Sequence, residues 1–234
     1  MKLLAFETAT EACSVALHVD GQVLERHEIA PRRHAELALP WAEALLAEAG
    51  IARSQLDAIA LGRGPGAFTG VRLAIAISQG IALALGRPLL PVSTLQALAL
   101  RAPAGAGRVL ASIDARMGEV YAGAFEQRDG QWQPLSTEVV GAPDAIDMSF
   151  VAGDWHGVGT GFAAGEGALA TRLQTSLVGV DAQALPRASD VLTLALAAHA
   201  RGEAIAPELV EPAYLRNNVA LTLVEQQALR ASKG

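Results

Sequence analysis

An internal repeat constrains the fold of this chain more than any other feature of its sequence. The runs LLAFETAT, CSVALHV and QVLERHEI near the start are matched further along by VLASIDAR, EVYAGAFEQ and WQPLSTEVV. Glu7 corresponds to Asp114 at an offset of 107 residues, whereas Asp20-Gly21 corresponds to Asp129-Gly130 at an offset of 109. Because an Asp-Gly pair between alternating runs is typical of a β-hairpin, each copy predicts a pair of antiparallel strands. We interpret the pattern as a duplication whose second copy carries two extra residues.

Helical patterns follow each copy of the repeat. After the first copy, the sequence predicts a helix over 34–49, a strand over 56–61 and a helix over 70–85. After the second copy, it predicts helices over 166–175 and 190–200. This order predicts an α/β protein of two layered lobes, each with a mixed sheet flanked by helices.

A cluster of Pro and Gly over 102–107 separates the two copies and predicts the lobe boundary. We therefore expect a first lobe over 1–104 and a smaller second lobe over 105–234. The last helix is expected to be free to pack back on the first lobe.

The composition narrows the class of protein and its compartment. With 51% hydrophobic and 18% charged residues, the chain has enough apolar surface for a core. Its net charge of −6 argues against the binding of nucleic acid by its own surface charge. The single cysteine, Cys13, excludes an intrachain disulfide and suits a reducing compartment. The apolar start of the chain is broken by Glu7, and the longest charge-free stretch, 73–86, would span roughly 21 Å as a helix. We therefore expect a cytoplasmic protein with no membrane span.

Two acidic residues and one glycine-rich loop are candidates for a nucleotide cleft. Glu7 and Asp114 each end the first strand of a repeat, so two pseudo-symmetric lobes would turn them towards one cleft, where carboxylates can hold a metal ion or act as acid and base. An acid at a strand end equally often only binds the following turn. The loop from Gly62 to Arg72 could cradle an anion with backbone amides, although it matches neither phosphate-binding fingerprint. Its candidate residues are Gly64, Gly66 and Thr69. The alternative is a tight turn whose glycines allow close backbone packing and whose Thr69 caps the following helix.

The helices predicted over 34–49 and 70–85 carry more apolar surface than one sheet contact needs. At 100° per residue, one side of the second helix offers only Arg72 and Gln79 as polar groups, together with small residues that leave room for another backbone. This pattern predicts a helix-against-helix interface with another subunit, the alternative being coverage by the first helix of the same lobe. The candidate interface residues are His34, Leu39, Trp41, Leu46, Arg72, Ile75, Ala76, Gln79, Gly80 and Leu83.

The sequence contains no recognisable motif for binding a metal or a cofactor. The five histidines form no HxxxH pair, and no GxSxG occurs. We therefore expect no bound metal and no cofactor.

Several runs resemble a known family. LAFETATEACSVAL, HAELALPWAEALL, GPGAFTGVRLAIAISQGIALALGRP, IDARMGEVYAG and EPAYLR, in this order, resemble the TsaB family of bacterial tRNA threonylcarbamoyladenosine biosynthesis proteins. The resemblance covers nearly the whole chain. It implies the fold of the actin-like ATPase superfamily, two tandem RNase H-like lobes, which agrees with the repeat.

The resemblance also implies a role without catalysis. A TsaB-like chain is expected to form a heterodimer with its paralogue TsaD, to be joined by TsaE in a larger complex, to form a homodimer when alone, and to meet tRNA only through the complex. TsaC would supply threonylcarbamoyl-adenylate, and the product would be a modified adenosine after the anticodon of tRNAs that read codons beginning with A. Where the catalytic paralogue has two metal-binding histidines, this chain has Thr94 and Leu98, and neither can replace imidazole. Glu7 departs from the Asp usual in the family.

An enzyme is the alternative reading of the same residues. A nucleotide-dependent phosphotransferase or ATPase would use Glu7 and Asp114 across the cleft. A metallopeptidase would require a ligand set that the sequence does not offer.

Overall fold

The computed structural model describes residues 1–216 and shows two mixed sheets. The strands of the first sheet are β1 (Lys2–Glu7), β2 (Ala12–Val19), β3 (Gln22–Ile29), β4 (Ala58–Gly62) and β5 (Leu89–Val92). The strands of the second sheet are β6 (Arg108–Arg116), β7 (Glu119–Arg128), β8 (Gln131–Pro134), β9 (Val139–Gly141), β10 (Trp155–Val158) and β11 (Leu177–Asp181).

The two sheets have the same topology. The strand order is β3-β2-β1-β4-β5 in the first and β8-β7-β6-β10-β11 in the second, with β9 paired to β7. In both, the first three strands are antiparallel and the last two are parallel to the first. The predicted duplication and the α/β fold with two RNase H-like lobes are therefore confirmed.

Both predicted hairpins are present, for the same physical reason. Asp20 and Gly21 have φ values of 48° and 95°, and Asp129 and Gly130 have 51° and 75°. A two-residue turn with positive φ at both positions matches the right-handed twist of the strands, and Asp followed by Gly adopts it at low cost.

Within residues 1–216, five α-helices cover the sheets. They are α1 (His34–Glu48), α2 (Phe68–Leu85), α3 (Thr94–Ala99), α4 (Ala164–Arg172) and α5 (Ala188–Ala200). α1 and α2 pack on one face of the first sheet, and α5 packs on the other. α3 lies between α5 and the second sheet, and α4 packs on the far face of the second sheet. α5 follows β11 in sequence, and therefore belongs to the second half of the chain, but it packs on the first sheet. The lobe boundary at residue 104 stays a prediction.

Alternation along β1 explains this layering. Leu4 and Phe6 belong to the core under α1 and α2, whereas Leu3 and Ala5 belong to the core under α5. Successive side chains of a strand point to opposite faces, so a central strand with helices on both sides is apolar throughout.

Some element boundaries differ from the sequence prediction. α2 begins at Phe68 with Ala67 as its N-cap, so Thr69 does not cap it. The helix predicted over 166–175 lies at 164–172 and contains a kink at Gly165, Glu166 and Gly167, which all have positive φ. The kink is possible here because two of its three residues are glycines, which reach positive φ without steric cost.

α2 is long and apolar enough to cross a membrane, judged by length and composition alone, and it is the one such helix in the described part of the chain. Six of its residues are buried, and four of these, Val71, Ala74, Ile75 and Ala82, belong to the core on the first sheet. An apolar helix of a protein core passes the same test, so the length of α2 does not indicate a membrane span.

Candidate partner surface and inter-lobe cleft

Glu7 ends β1 and is fully buried. One of its carboxylate oxygens accepts a hydrogen bond from the amide of Ala9 at 2.7 Å, and the other accepts one from the hydroxyl of Thr94 at 3.1 Å. A Cβ atom at Gly62 would overlap the carboxylate, so only glycine fits beside it. Burial raises the pKa of Glu7 from 4.5 to about 7. The expectation that Glu7 faces the cleft is therefore corrected, because its side chain is enclosed within the first lobe.

Asp114 occupies the equivalent position of the second repeat but lies at the surface. Its side chain is 27% exposed and accepts hydrogen bonds from the amide and the guanidinium of Arg116, each at 2.8 Å. Asp114 lines a cavity of about 990 Å³ between the two lobes. Of the two strand-end acids, only Asp114 is placed where it could meet a ligand in this cleft.

Five segments and the side chain of Tyr121 form the walls of the cleft. The segments are the β1–β2 loop at 8–11, the start of α1 with the residues before it (Pro31, Arg32, His34 and Ala35), residues 66–73 at the start of α2, the end of β6 at 113–116 and residues 213–216. The volume is within the range of small-molecule sites, which are usually several hundred cubic ångströms. The described residues contain no cluster of three or more His, Cys, Asp or Glu side chains that could hold a metal ion.

The glycine-rich loop packs against the β1–β2 loop. The amide of Ala67 donates to the carbonyl of Ala9 at 2.7 Å, and the hydroxyl of Thr8 donates to the carbonyl of Gly70 at 2.7 Å. Cβ atoms at Gly66 or Gly70 would overlap these two residues. Both glycines therefore serve close backbone packing, the alternative that the sequence left open, and both also line the cavity.

The other two loop candidates are placed differently. Gly64 is buried, and its amide donates to the hydroxyl of Thr94 at 3.2 Å, so it lies away from the cleft. Thr69 is exposed and lines the cavity with the first turn of α2. Thr69 thus remains a candidate cleft residue.

Residues 203–216, which we name the C-terminal strap, run along α2. The side chain of Gln79 donates to the carbonyl of Pro207 at 2.8 Å, and Arg72 donates to the hydroxyl of Tyr214 at 2.6 Å. Tyr214 also stacks on Phe68, with the ring centroids 6.0 Å apart. Arg72 and Gln79, both candidate interface residues, are therefore already engaged within the chain.

The exposed part of α2 lies beside the strap. Ala76 and Gly80 are exposed, and Leu83 is 64% exposed. Ile75, by contrast, is only 8% exposed and belongs to the core under the helix. Its inclusion in the interface is corrected, because at 300° from Arg72 it falls on the edge of the helix that faces the sheet.

α1 adds a smaller exposed apolar area. Leu39 is 46% exposed, whereas Leu46 is 6% exposed and belongs to the core, so Leu46 is also corrected. Trp41 is half-buried, and the ring of His34 lies 3.0 Å from the carbonyl oxygen of Thr10. Five exposed apolar or small residues of the two helices, which we name the apolar face, are Leu39, Phe68, Ala76, Gly80 and Leu83.

Sequence reasoning missed Phe68 and Tyr214. Phe68 is 53% exposed and Tyr214 49% exposed, although both are aromatic, and the guanidinium of Arg72 lies 3.6 Å from the centre of the Phe68 ring. The sequence does offer a reason to single out Phe68, since a large apolar residue within a glycine-rich loop is not part of an apolar helix face and needs another contact. Nothing in the sequence pattern connected it with Tyr214, which lies 146 residues further on.

Comparison with known proteins agrees with this architecture. A family model described as TsaD, tRNA N6-adenosine threonylcarbamoyltransferase, matches residues 25–223. The tRNA threonylcarbamoyladenosine biosynthesis protein TsaB of Escherichia coli K12 is 44% identical over 226 residues, which cover 94% of this chain and 96% of that protein. The TsaB protein of Haemophilus influenzae is 38% identical over 229 residues, covering 94% and 95%.

Two solved structures from Pseudomonas aeruginosa are also similar. One is described as an uncharacterized protein with similarity to peptidase YEAZ, with a TM-score of 0.83, and the other as YeaZ, with a TM-score of 0.82. Each is 47% identical, and each alignment covers 92% of this chain and 99% of the other.

Two RNase H-like lobes around a cleft define a protein of the actin-like ATPase superfamily, and the family model narrows this to the TsaD-related branch. The extent of the match and the identities show the family directly. The chain belongs to the TsaB family of tRNA threonylcarbamoyladenosine biosynthesis proteins.

Proposed function

We propose that this chain acts in tRNA threonylcarbamoyladenosine biosynthesis as the non-catalytic partner of a TsaD-type threonylcarbamoyltransferase. The apolar face on α1 and α2 docks on the equivalent helices of the paralogue, and TsaE joins the larger complex. Without the paralogue, the same face forms a homodimer. The chain works in the cytoplasm and meets tRNA, of the class that reads codons beginning with A, only through the complex.

Gly80 is the observation that carries the interface. It lies inside an 18-residue helix, is exposed, and a Cβ atom added there would meet nothing within 4 Å. A glycine inside a helix costs roughly 0.5–1 kcal/mol relative to alanine, and the fold gains nothing from it at this position. A neighbouring backbone that approaches closely at Ala76 and Gly80 would explain the small side chains at both.

Two residues support a role without catalysis. Thr94 and Leu98 stand where the resemblance places metal-binding histidines of the paralogue, and both are fully buried. The hydroxyl of Thr94 is engaged between Glu7 and the amide of Gly64, and Leu98 is part of the core between α3 and the second sheet. Both side chains therefore have structural contacts, Thr94 within the first lobe and Leu98 between α3 and the second sheet.

A pair of charge substitutions tests the interface. Ala76→Arg and Gly80→Arg place long cations at two exposed sites, so the chain should still fold. Affinity for the TsaD-type paralogue should fall by about a hundredfold or more, because a guanidinium would be buried without a partner. Ala200→Arg is the matched control, since Ala200 is an exposed alanine at the end of α5, on the other side of the first sheet. Unchanged affinity and unchanged tRNA modification with both variants would place the interface elsewhere.

The cleft supports one second candidate, a nucleotide-dependent ATPase or phosphotransferase. Its support is the cavity of about 990 Å³ lined by Asp114. The enclosed position of Glu7 argues against a catalytic pair, since a carboxylate enclosed inside one lobe cannot reach a substrate in the cleft. Appreciable ATP turnover by the isolated chain, abolished by Glu7→Gln and by Asp114→Asn, would favour this candidate.

A further inference from the structure

We propose that the C-terminal strap is a clamp that holds the two lobes in one relative orientation, and that its tie to the second lobe, Arg216, controls the opening of the cleft. The strap contacts the first lobe along most of its length, and its described end, Arg216, contacts the second lobe.

The strap first wraps around the edge of the first sheet. It follows α5, which packs on one face of that sheet, and Ile205 then pairs with Leu89 of the edge strand β5 through backbone hydrogen bonds of 2.8 and 2.9 Å. Val210 is buried in the core on the opposite face, under α1 and α2. The strap therefore covers an edge strand and reaches the helical side of the lobe.

The middle of the strap is fixed to α2 and to the turn before it. Its bonds to Gln79 and Arg72 have been described, and the amide of Ala213 donates to the carbonyl of Arg63 at 2.9 Å. Together with the stacking of Tyr214 on Phe68, these contacts leave the strap little freedom on the first lobe.

The described end of the strap contacts the β6–β7 turn of the second lobe. Arg216 donates to the carbonyl of Ala115 at 3.2 Å and to the carboxylate of Glu119, and it lies 3.8 Å from the sulfur of Met117. In this turn Arg116, Met117 and Gly118 all have positive φ, and the carbonyl oxygen of Arg116 lies 3.5 Å from the guanidinium of Arg216. The Arg216 side chain thus connects the strap on the first lobe with the β6–β7 turn of the second lobe, and residues 213–216 line the cavity.

The clamp also adjoins the apolar face. Arg72 and Phe68 contact Tyr214 and lie on the same helix as Ala76, so a partner seated on that face would touch the clamp. This part of the inference rests on the proposed function, whereas the clamp itself does not.

Distance measurement between the lobes tests the clamp in the full chain, with the doubly labelled chain diluted into excess unlabelled chain so that only distances within one chain are measured. Spin labels at Ala47→Cys on α1 and Gln133→Cys on β8 occupy exposed positions in the two lobes. Cys13 stays unlabelled, because it is buried and burial raises its pKa to about 12. With Arg216→Met, the distance distribution from double electron–electron resonance should broaden and shift, and amide exchange at the β6–β7 turn should accelerate on the order of tenfold.

Arg128→Met is the matched control, since Arg128 forms an ion pair with Glu126 inside the second lobe. An Arg216→Met distribution equal to that of the control would overturn the proposal. If Arg216→Met unfolds the chain, Glu119→Gln replaces it, since it keeps the shape of the acceptor and removes its charge, and it must show the same broadening. None of these measurements involves the paralogue, so the failure of the proposed partnership would leave them unaffected.

Discussion

The glycine-rich turns of the two lobes have the same role, whereas the acids at the ends of the first strands do not. In the first lobe, Gly66 and Gly70 let the turn after β4 pack against the end of β1. In the second lobe, Gly159 and Gly161 let the turn after β10 pack against Ser112 of β6. Glu7 is enclosed, however, while the equivalent Asp114 lines the cleft. The duplication thus conserves the packing that builds a lobe and leaves the polar positions free to differ.

The largest expected effect comes from alanine substitutions that test whether the glycine-rich turns of the two lobes are equivalent. Gly70→Ala places a methyl group on the carbonyl of Thr8, and Gly161→Ala places one on the side chain of Ser112. Each should lower the free energy of unfolding by about 3 kcal/mol, measured by urea denaturation. The backbone of Thr8 cannot move aside without disturbing its sheet, and the side chain of Ser112 is buried and bonded to the carbonyl of Tyr121. A loss below about 0.5 kcal/mol in either variant would show that the two turns are not equivalent.

The next effect concerns the difference between the acids. The pKa of Glu7 is about 7 in the folded chain against an ordinary value of 4.5, so the folded state holds its proton more tightly. The contribution of this group to stability is therefore present below pH 4.5 and is lost as the pH rises to about 7. Glu7→Gln resembles the protonated form, so its stability relative to the wild type should rise over that range by at most about 3 kcal/mol.

The matched variant for Glu7→Gln is Asp114→Asn in the second repeat. It leaves Glu7 in place and should keep the wild-type slope of stability between pH 5 and pH 7. If the Glu7→Gln and Asp114→Asn profiles coincide in urea titrations across this range, the two acids have the same environment and the comparison is wrong.

A smaller effect is expected at the strap that joins the lobes. Tyr214→Phe removes the hydrogen bond from Arg72 but keeps the stacking on Phe68, and should cost about 1 kcal/mol in thermal or urea unfolding. Tyr214→Ala removes both contacts and has to cost more. Equal losses from the two variants would show that the hydroxyl contributes nothing.

The smallest effect has the opposite sign. Gly80→Ala should stabilise the isolated chain by about 0.5–1 kcal/mol, because an exposed helical glycine is replaced by the best helix former. The same substitution should weaken binding of the paralogue, since the added methyl group separates the two backbones. Stabilisation with no loss of affinity would mean that no backbone approaches Gly80.

The sequence allowed the prediction of local features and of the repeat. The hairpins follow from Asp-Gly pairs, and α1 and α2 from apolar periodicity, because these signals lie within a few neighbouring residues. The enclosure of Glu7 depends on Gly62 and Thr94, which are distant in sequence, and no local pattern reports it.

The candidate interface shows the same limit. A helical wheel gives the direction of each side chain but not the width of the helix's contact with the sheet. The sequence pattern therefore places Ile75 and Leu46 at the interface, although both are core residues. The strap has no periodicity of its own and contains Pro207 and Pro212, so only its contacts in the folded chain reveal it.

The dependence of tRNA modification on this chain tests the central claim most directly. A reconstituted mixture of TsaC, TsaD, TsaE, ATP, threonine, bicarbonate and unmodified tRNA should form threonylcarbamoyladenosine when the chain is added and lose nearly all product when it is omitted. Adding back the Ala200→Arg variant should restore the product, whereas adding back Ala76→Arg combined with Gly80→Arg should not. Full product formation without the chain would contradict its role as the required partner.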